Sequence, residues 1–331
     1  MEMNLVVKDL HWPRSQLIDI VRYDDQNRSD WDDLIDSSSA PNILFFRDYM
    51  EYHKDSFKDY SLLFFQNNKL IAVFPAAISP LDSRNIVSHP GLTFGGLVSR
   101  MNLSQDQVSE CLSALIDYYS KLGFKSLLYK AIPSIYHRRP AEQDQYFLWK
   151  AGFECFRIDL SVSINLNTEI VASSRRLRGL KKAQRSVQLS YDLNYLDSFW
   201  ELLANNLKQR HSARPTHSLE EIKLLISRFP NEIVPLFALN NGTCVAGVVI
   251  YKSHNVHHAQ YISACPQGQD IGALDLIFSE VLLKALGENV SYFDFGISTI
   301  NNGSDLNEGL YSFKYEFGGG GICHRFFTKE L

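Results

Sequence analysis

Cysteine is scarce in this chain, and the few cysteines present form no frame. They are odd in number, widely separated and without a CxxC spacing: Cys111, Cys155, Cys244, Cys265 and Cys323. A disulfide scaffold and a cysteine zinc site are therefore excluded, and the pattern is typical of reduced thiols in a cytosolic protein. His257 and His258 cannot chelate one metal together, because neighbouring residues of a strand point to opposite faces. We expect no bound metal.

Long hydrophobic runs are missing too. The longest nearly apolar stretch, LIAVFPAAI at residues 70–78, contains a proline and is far shorter than the roughly 20 residues of a membrane-spanning helix. The first residues, MEMNLVVKDLHW, have neither the basic start nor the apolar core of a signal peptide. We therefore expect a cytoplasmic protein without an integral membrane segment.

The chain has little net charge and lacks the common nucleotide and hydrolase motifs. Its formal net charge of −4 argues against a DNA-binding protein, although it leaves room for one local basic site. No G-x-S-x-G elbow, P-loop or G-x-G-x-x-G after a strand is present in the sequence. Serine-histidine-acid catalysis and P-loop chemistry therefore have no support.

The sequence does contain a repeat. At 331 residues and 45% hydrophobic content, it is long enough for two domains of roughly 150 residues. Two segments align without gaps, each with an apolar strand, an Asn-Asn pair and a second apolar strand: Leu63–Ala76 and Leu236–Val249. Asparagine tolerates positive φ, so both segments predict β-hairpins, with turns at Asn67–Asn68 and Asn240–Asn241.

The same order of elements follows each hairpin: strand, helix, strand, helix, strand. In the first copy Ser104 caps a helix that ends near Lys121, and in the second a helix runs from about Ile271 to Leu286. The repeat predicts an α+β fold of two tandem units, residues 1–165 and 166–331. Each unit should have a mixed, mostly antiparallel sheet flanked by helices.

A basic stretch opens the second unit. Residues 175–185 contain six cations and no acid, and four of the cations share one helical face at i, i+3, i+4 and i+7: Arg178, Lys181, Lys182 and Arg185. Stacked like charges favour a bound anion, so this face is a candidate phosphate-binding site for a donor, an acceptor or an RNA backbone. A solvated basic surface is the alternative.

The segment GLYSFKYEFGGGG, residues 309–321, places one lysine in an aromatic run before four glycines. On a helix, Phe313 and Phe317 would pack inward with Leu310, while Lys314 would lie one position round. Aromatic surroundings keep an ammonium group poorly hydrated and strengthen its field. We expect the glycines to end the helix and act as a hinge for the last strand.

These features together resemble the GCN5-related N-acetyltransferase (GNAT) fold, and the tandem order resembles its FemAB-like branch, which includes aminoacyltransferases that build peptidoglycan cross-bridges. Three stretches carry the likeness: RRLRGLKKAQRSVQLS, HHAQYISA and SFKYEFGGG, the last similar to the family's Phe-Lys-x-x-Phe-Gly segment. The resemblance implies acyl transfer from a thioester or aminoacyl ester to an amine or hydroxyl within a ternary complex. Such a reaction needs positioning, an oxyanion donor and a proton route.

The resemblance also suggests where the donor binds. Acetyl-CoA users of this fold usually carry R/Q-x-x-G-x-G/A before the long helix, where backbone amides can hold a pyrophosphate. In QGQDIGALDL, Gln269 and Gly272 fit this pattern, and Leu274 departs from it. The predicted donor-binding residues are therefore Arg178, Lys181, Lys182, Arg185, Gln269 and Gly272. Acyl-CoA is the expected donor substrate, with no tightly bound cofactor.

Acceptor and catalytic positions complete the predicted site. The glycine-rich SHPGLTFGGLVS offers His89, Thr93 and Phe94 at the junction of the units, the default place for a ligand. Asn302 and Asp305, in a polar loop, are further acceptor candidates. The predicted catalytic residues are Lys314, Asp294 at a strand end, and Tyr261, which aligns with a tyrosine that the FemAB-like pattern places near the acyl junction. Packing or capping roles are the alternatives.

The function indicated is transfer of an acyl group from acyl-CoA to an amino group of a sugar nucleotide or cell-surface glycan precursor, as in envelope polysaccharide biosynthesis. An aminoacyl-tRNA-dependent aminoacyltransferase of cell-wall precursors is the first alternative. A non-catalytic platform that binds a nucleotide sugar or a protein is the second.

Overall fold

The computed structural model describes residues 18–211 and 213–331. The first residues of the predicted first unit, including the segment tested for a signal peptide, lie outside this range. One ten-stranded mixed sheet forms the centre of the molecule, and both halves of the chain contribute to it. A four-stranded sheet and a two-stranded ribbon complete the β-structure of the described residues. The predicted α+β class is confirmed.

The first half contains these helices and strands in chain order: β1 (Asp19–Arg22), α1 (Arg28–Ser37), α2 (Arg47–Met50), β2 (Leu62–Gln66), β3 (Lys69–Phe74), β4 (Ala77–Ile78), β5 (Asn85–Val87), β6 (Val98–Ser99), α3 (Gln105–Lys121), β7 (Ser126–Lys130), α4 (Gln143–Lys150) and β8 (Glu154–Asn165).

The second half repeats the plan with longer strands: α5 (Ser174–Ala183), β9 (Gln188–Ser190), α6 (Leu196–His211), α7 (Leu219–Arg228), β10 (Ile233–Asn240), β11 (Thr243–Lys252), β12 (Val256–Ala264), α8 (Pro266–Asp270), α9 (Ala273–Gly287), β13 (Tyr292–Ile297), β14 (Thr299–Ile300), β15 (Asp305–Leu306), α10 (Glu308–Tyr315) and β16 (Gly320–Glu330).

Both predicted hairpins are confirmed, β2 with β3 and β10 with β11. Asn67 and Asn68 form the first turn, with φ of 51° and 59°. The second turn is formed by Asn241 and Gly242, with φ of 50° and 76°, one residue later than the predicted Asn-Asn pair. Glycine reaches positive φ at no steric cost, which accounts for the shift. Each hairpin also carries a bulge.

Local signals explain the helix ends. Ser104 caps α3 as predicted, and its hydroxyl accepts from the Gln107 amide while the Gln107 side chain accepts from the Ser104 amide. Ser218 and Glu221 form the same reciprocal pair at the start of α7. Each such pair satisfies two amides that have no partner within the helix. These helix starts are therefore set by a few adjacent residues.

The two halves exchange their last strands. In the ten-stranded sheet the order is β4-β5-β7-β16-β8-β13-β12-β11-β10-β9, so β16 lies between two strands of the first half. Phe326 of β16 pairs with Lys130 of β7, and Gly320 pairs with Ser163 of β8. The backbone hydrogen bonds of one sheet thus join the halves. The boundary at residues 165 and 166 falls at the end of β8 and stays a prediction.

The glycine run belongs to this exchange. Gly318 alone among the four has a left-handed φ, 98°, and it follows α10. A Cβ on Gly319 would lie 2.6 Å from Cγ1 of Val162, and Gly320 and Gly321 already pair with β8. The expected hinge is therefore corrected: the run is the packed start of β16, and small residues are needed because β8 approaches closely.

A shared apolar core lies between the halves. It includes Trp31, Phe94 and Tyr136 from the first half and Trp200 and Tyr261 from the second. Two further clusters fill the space under the helices of each half. Burying aromatic side chains from both halves in one core stabilises their contact, at about 25 cal/mol per Å² of apolar surface removed from water.

Two histidines in this junction should make the fold sensitive to acid. His53 and His217 are buried, and burial lowers the pKa of each to about 4 from an ordinary 6.5. The unfolded chain therefore binds protons more readily below pH 6.5. The free energy of unfolding should fall as pH drops from about 6.5 to about 4, by on the order of 3 kcal/mol at most for each histidine.

Urea unfolding of wild type and His217→Gln between pH 7.5 and 4.5 measures this loss. The variant should show a shallower decline, whereas His254→Gln, at an exposed histidine, should keep most of the wild-type slope. Equal slopes for all three proteins would contradict the assignment.

Candidate functional site

The central sheet opens between two parallel strands of the second half. β12 and β13 pair from Val256–Tyr292 to His258–Asp294, and their pairing ends there. Beyond this point β12 bulges, because Val249 and Ile250 of β11 face Tyr261 and Ala259 and skip the residue between them. β13 turns away at Gly296, whose φ is 77°. Both distortions separate the strands and leave room for a ligand.

A cavity of about 720 Å³ lies on one side of this opening. Its walls come from α5, α6, the end of β12, α8, the first turn of α9, and α10. Leu203, Ile262 and Phe313 give it apolar surface, and Arg175 and Gln269 give it polar groups. This volume falls within the usual range for small-molecule sites.

Gln269 and Gly272, both predicted to bind the donor, line this cavity. Gly272 is the N-cap of α9 with φ of 76°, and a Cβ there would lie 2.5 Å from the carbonyl oxygen of Gly179. Only glycine therefore fits where α5 crosses the start of α9. The first-turn amides of a helix lack intrahelical partners and attract anions, so this end of the cavity suits a phosphate group.

The predicted basic face is placed differently. Its four cations are exposed and lie outside the cavity wall: Arg178, Lys181, Lys182 and Arg185. α5 ends at Ala183, so the expected i+7 position at Arg185 is not helical. Lys182 Nζ instead donates to the carbonyl of Asp270 at 2.7 Å. The cations that do line the cavity are Arg175 and Arg176.

Arg176 is a buried cross-link between three helices. Its guanidinium donates to Asp275 on α9 and Glu316 just after α10, both at 2.8 Å, and lies over the ring of Phe313 at 4.8 Å. Because it is paired with both carboxylates, Arg176 holds the helices of the cavity wall together. The side chain of Arg175 is 72% exposed and lies 3.7 Å from Glu316, so this arginine is better placed to meet a ligand anion.

Lys314 is buried, with 3% of its surface exposed. Its Nζ donates to the carbonyl oxygens of Gly296 and Ile297, at 2.8 and 2.6 Å, and so supports the turn that separates β13 from β12. Burial lowers its pKa to about 8, against the opposing charge of Asp294. An ammonium group has three protons, so one donor remains beyond these two bonds. Lys314 itself lies behind the cavity wall, outside the linings of the cavity and the cleft.

Asp294 lies at the point where the strands part, and it is fully buried. Its carboxylate accepts from the hydroxyl of Tyr136 at 2.9 Å, from the hydroxyl of Ser161, and from Nδ1 of His258 at 2.8 Å. Burial alone would raise the pKa of Asp294, but the hydrogen bonds that its carboxylate accepts from His258 and Ser161 help to hold it well below its usual range. A buried anion thus joins both halves.

A narrow cleft of about 10 Å³ lies between the halves, with His258 of β12 in its wall. Among its lining residues are Thr93 and Phe94, two predicted acceptor residues, together with Asn42, His258 and Gln260. The side chain of His258 is 15% exposed. The sequence alone favours a core or surface role for His257 and His258, with a general base as the alternative for one of them. The register of His258 with Asp294 on a parallel strand is a long-range fact that no local pattern encodes.

Two other predicted residues lie in the junction core beside these openings. Tyr261 contacts Nδ1 of His217 through its hydroxyl and packs edge-on against Trp200, with ring centroids 4.8 Å apart. His89 packs against His53 and Phe57. Neither Tyr261 nor His89 lines the cavity or the cleft. Their proposed roles stay predictions.

Asn302 and Asp305 are exposed on the turn and ribbon that follow β13. Asn302 accepts from Arg157 at 3.3 Å, and Asp305 accepts from Asn301 at 2.7 Å. They lie outside the linings of the cavity and the cleft, and their acceptor role stays a prediction.

The corresponding opening of the first half is nearly closed. The space at the starts of α3 and α4 measures about 30 Å³, against about 720 Å³ in the second half. Arg139, which lines this space, donates to the carbonyl of Met101. Of these two spaces, the one at the start of α9 is much the larger.

The described residues contain no group of three or more histidine, cysteine or carboxylate side chains placed to hold a metal ion. In the described part of the chain, no helix has the length and apolar character that crossing a bilayer requires.

Comparisons with known proteins agree with this geometry. Residues 169–314 match the family model of the acetyltransferase (GNAT) domain. None of the curated proteins matches the sequence. Similar solved structures include FemX, with a TM-score of 0.68 and 9% identity over 95% of this chain and 97% of that one. L-PGS from Bacillus licheniformis has a TM-score of 0.60 and 10% identity over 92% of each chain.

A tandem GNAT protein from the clavulanic acid biosynthesis pathway is similar as well, with a TM-score of 0.52 and 11% identity over 95% of this chain and 98% of that one. At such low identities these likenesses establish the fold. The chain therefore has the tandem GNAT fold, and its residues 169–314 match the GNAT acetyltransferase domain.

Proposed function

We propose that the protein transfers an acyl group from a donor in the large cavity to an amine that enters through the cleft between the halves. The observation that carries this proposal is that one strand, β12, lines both openings: Ile262 lies in the cavity wall, His258 lies in the cleft wall, and Asp294 is beside His258 where β12 and β13 separate. Two substrates held on opposite sides of one opening gain the proximity that direct transfer requires.

The chemistry needs no covalent enzyme intermediate. The amine nitrogen attacks the donor carbonyl carbon, a C–N bond forms, and the bond to the thiol or ribose oxygen breaks as the nitrogen loses a proton. The carbonyl oxygen becomes negative on the way. Lys314 supports the proposal because its charge is poorly hydrated and its third proton is available for that oxygen.

Acyl-CoA, with acetyl-CoA as the simplest case, is the proposed donor. The cavity has the required volume, the first turn of α9 suits a pyrophosphate, and Arg175 offers an exposed guanidinium. The donor is a substrate and not a resident cofactor.

Aminoacyl-tRNA is the second candidate donor, and the exposed face of α5 favours it. Arg178, Lys181 and Lys182 are exposed on the same helix that lines the cavity with Arg175. A compact basic surface beside a reaction site suits a nucleic-acid backbone. Under this alternative the product would be an aminoacylated cell-wall precursor.

The proposed acceptor is the amino group of a sugar nucleotide or another glycan precursor, with a role in envelope polysaccharide synthesis in the cytoplasm. Five of the residues that line the cleft carry uncharged hydrogen-bonding side chains: Asn42, Thr93, Tyr136, Ser253 and Gln260. Amide and hydroxyl groups of this kind match the hydroxyls of a sugar.

Replacing Lys314 by methionine tests the role of the ammonium. We expect turnover to fall by about 10²-fold or more at unchanged donor affinity, the scale for losing one oxyanion stabiliser. The carbonyls of Gly296 and Ile297 would also lose their partner, so unfolding should become easier by about 1–3 kcal/mol. Steady-state kinetics and urea unfolding measure the two effects, and full turnover in a folded variant would contradict the role.

Filling the cavity tests the donor site. Leu310 lines the cavity and is 38% exposed, whereas Leu283 on α9 is 63% exposed and lies outside its lining. CoA at 100 times its dissociation constant should stabilise wild type and Leu283→Trp by roughly 2.7 kcal/mol and should fail to stabilise Leu310→Trp.

The two donors can be separated by the same measurement. If charged tRNA binds and CoA does not, and a Lys181→Glu/Lys182→Glu variant loses that binding, the aminoacyl-tRNA alternative replaces the CoA proposal. Equal stabilisation of both tryptophan variants by CoA would place the donor outside the cavity.

A further inference from the structure

We propose that His258 is the general base that takes the proton from the acceptor amine, and that Asp294 and Tyr136 are the residues that position it. This inference rests on the proposed acyl transfer and adds the proton route, which that proposal leaves unassigned. It follows from the arrangement of the ring between a buried carboxylate and the cleft.

The hydrogen bond to Asp294 selects the tautomer of the His258 ring. Nδ1 lies 2.8 Å from Oδ2 of Asp294, a distance at which a neutral imidazole donates its proton to a carboxylate. The other nitrogen, Nε2, is then a lone-pair acceptor. Because the side chain is 15% exposed and lines the cleft, this acceptor faces the space from which the amine would arrive.

Asp294 is itself fixed. Tyr136 donates to the same oxygen as His258, Ser161 donates to the other oxygen, and the backbone amide of Gly296 lies 3.2 Å from that second oxygen. Four donors from separate parts of the chain leave the carboxylate little freedom to rotate. The imidazole is consequently held in one orientation, which general-base catalysis requires.

Gly296 keeps the ring beside the reacting point. A Cβ at this position would come within 3.2 Å of Cε1 of His258, and the φ of 77° disfavours any side chain there. The carbonyl of Gly296 accepts from Lys314, so the proposed oxyanion stabiliser and the proposed base lie around one peptide of β13.

The other titratable residues of the cleft are poor candidates for the base. Burial raises the pKa values of Tyr136 and Tyr251 well above their usual range, so both stay protonated. Lys252 forms an ion pair with Glu288 at 2.7 Å. Among the described residues that line the cleft, His258 alone combines a free acceptor nitrogen with access.

Charged and titratable groups approach the ring from several elements: Asp294 on β13, Tyr251 on β11, His324 on β16, Lys314 on α10 and Tyr136 before α4. Asp294 carries the nearby negative charge.

In the proposed step, the acyl group moves to the amine and one proton moves to the leaving thiolate. The amine nitrogen forms its bond to the acyl carbon and gives one proton to Nε2 of His258, while the carbon–sulfur bond of the thioester breaks. The imidazolium then returns this proton to the leaving thiolate. The products are an amide and a free thiol, and His258 is regenerated.

The test measures thiol release from acetyl-CoA with a UDP-linked amino sugar as acceptor, between pH 5 and 9. His258→Asn keeps an amide donor for Asp294 and should lower kcat by about 10²- to 10⁴-fold, with the acidic limb of the wild-type pH profile abolished. Imidazole should restore part of the rate in His258→Ala. His254→Asn, at an exposed neighbour outside the cleft lining, should behave as wild type.

Two further readouts separate a chemical role from a structural one. Thermal stabilisation by CoA should be retained in His258→Asn, which shows that the donor site remains folded. Tyr136→Phe should lower kcat less than His258→Asn and keep the acidic limb, because the base is still present but less firmly held.

The outcomes distinguish the two proposals. If wild type transfers acyl groups and His258→Asn keeps its rate and pH profile, the assignment of the base is overturned while the acyltransferase proposal stands. If wild type releases no thiol from acetyl-CoA and transfers nothing from charged tRNA, both proposals fail together.

Discussion

The buried carboxylate of Asp294 is the interaction on which the site depends. A charge with no exposed surface is tolerated only when hydrogen-bond donors surround it, since an unpaired buried ion costs several kcal/mol. Here the donors come from β12, from β8 and from Tyr136 of the first half. Satisfying this anion therefore requires the second half to be folded and docked on the first. Assembly of the site and association of the halves are one structural event.

Strand exchange enforces the same association through the backbone. Because β16 pairs with β7 on one side and β8 on the other, the end of the chain completes the sheet of the first half. Gly319 and its neighbours permit this path, since a side chain there would collide with Val162. α10, which carries Lys314, is tied to the sheet by the strand that follows it. The lysine is thus held by packing on both sides as well as by its two carbonyl partners.

Much of the fold could be predicted because its signals are local. The hairpin turns, the Ser104 cap and the long helix before Gly287 each depend on a few adjacent residues, and their errors were shifts of one or two positions. The site was harder, because it depends on register between distant strands. Asp294 is predicted from its place at a strand end. Its partner His258 is brought beside it by a parallel strand pairing, which sequence spacing does not reveal. For the same reason, the four cations predicted to bind the donor are exposed and lie outside the cavity lining. The arginines on the cavity wall were Arg175 and Arg176.

Under the proposed function, duplication lets one half hold the donor while the other serves the acceptor. Both halves have an opening near the start of the long helix, yet that of the first half is reduced to about 30 Å³ and bridged by Arg139. The first half does not need a large opening here, because under the proposed function its surface lines the cleft for the acceptor. That surface supplies Thr93, Phe94 and Tyr136 to the cleft, whose wall also contains His258 and Gln260 of the second half. A single GNAT unit would present its splayed strands to solvent. Here the first half covers them, since Tyr136 bonds the fully buried Asp294, and a charge removed from water in this way acts more strongly on its neighbours.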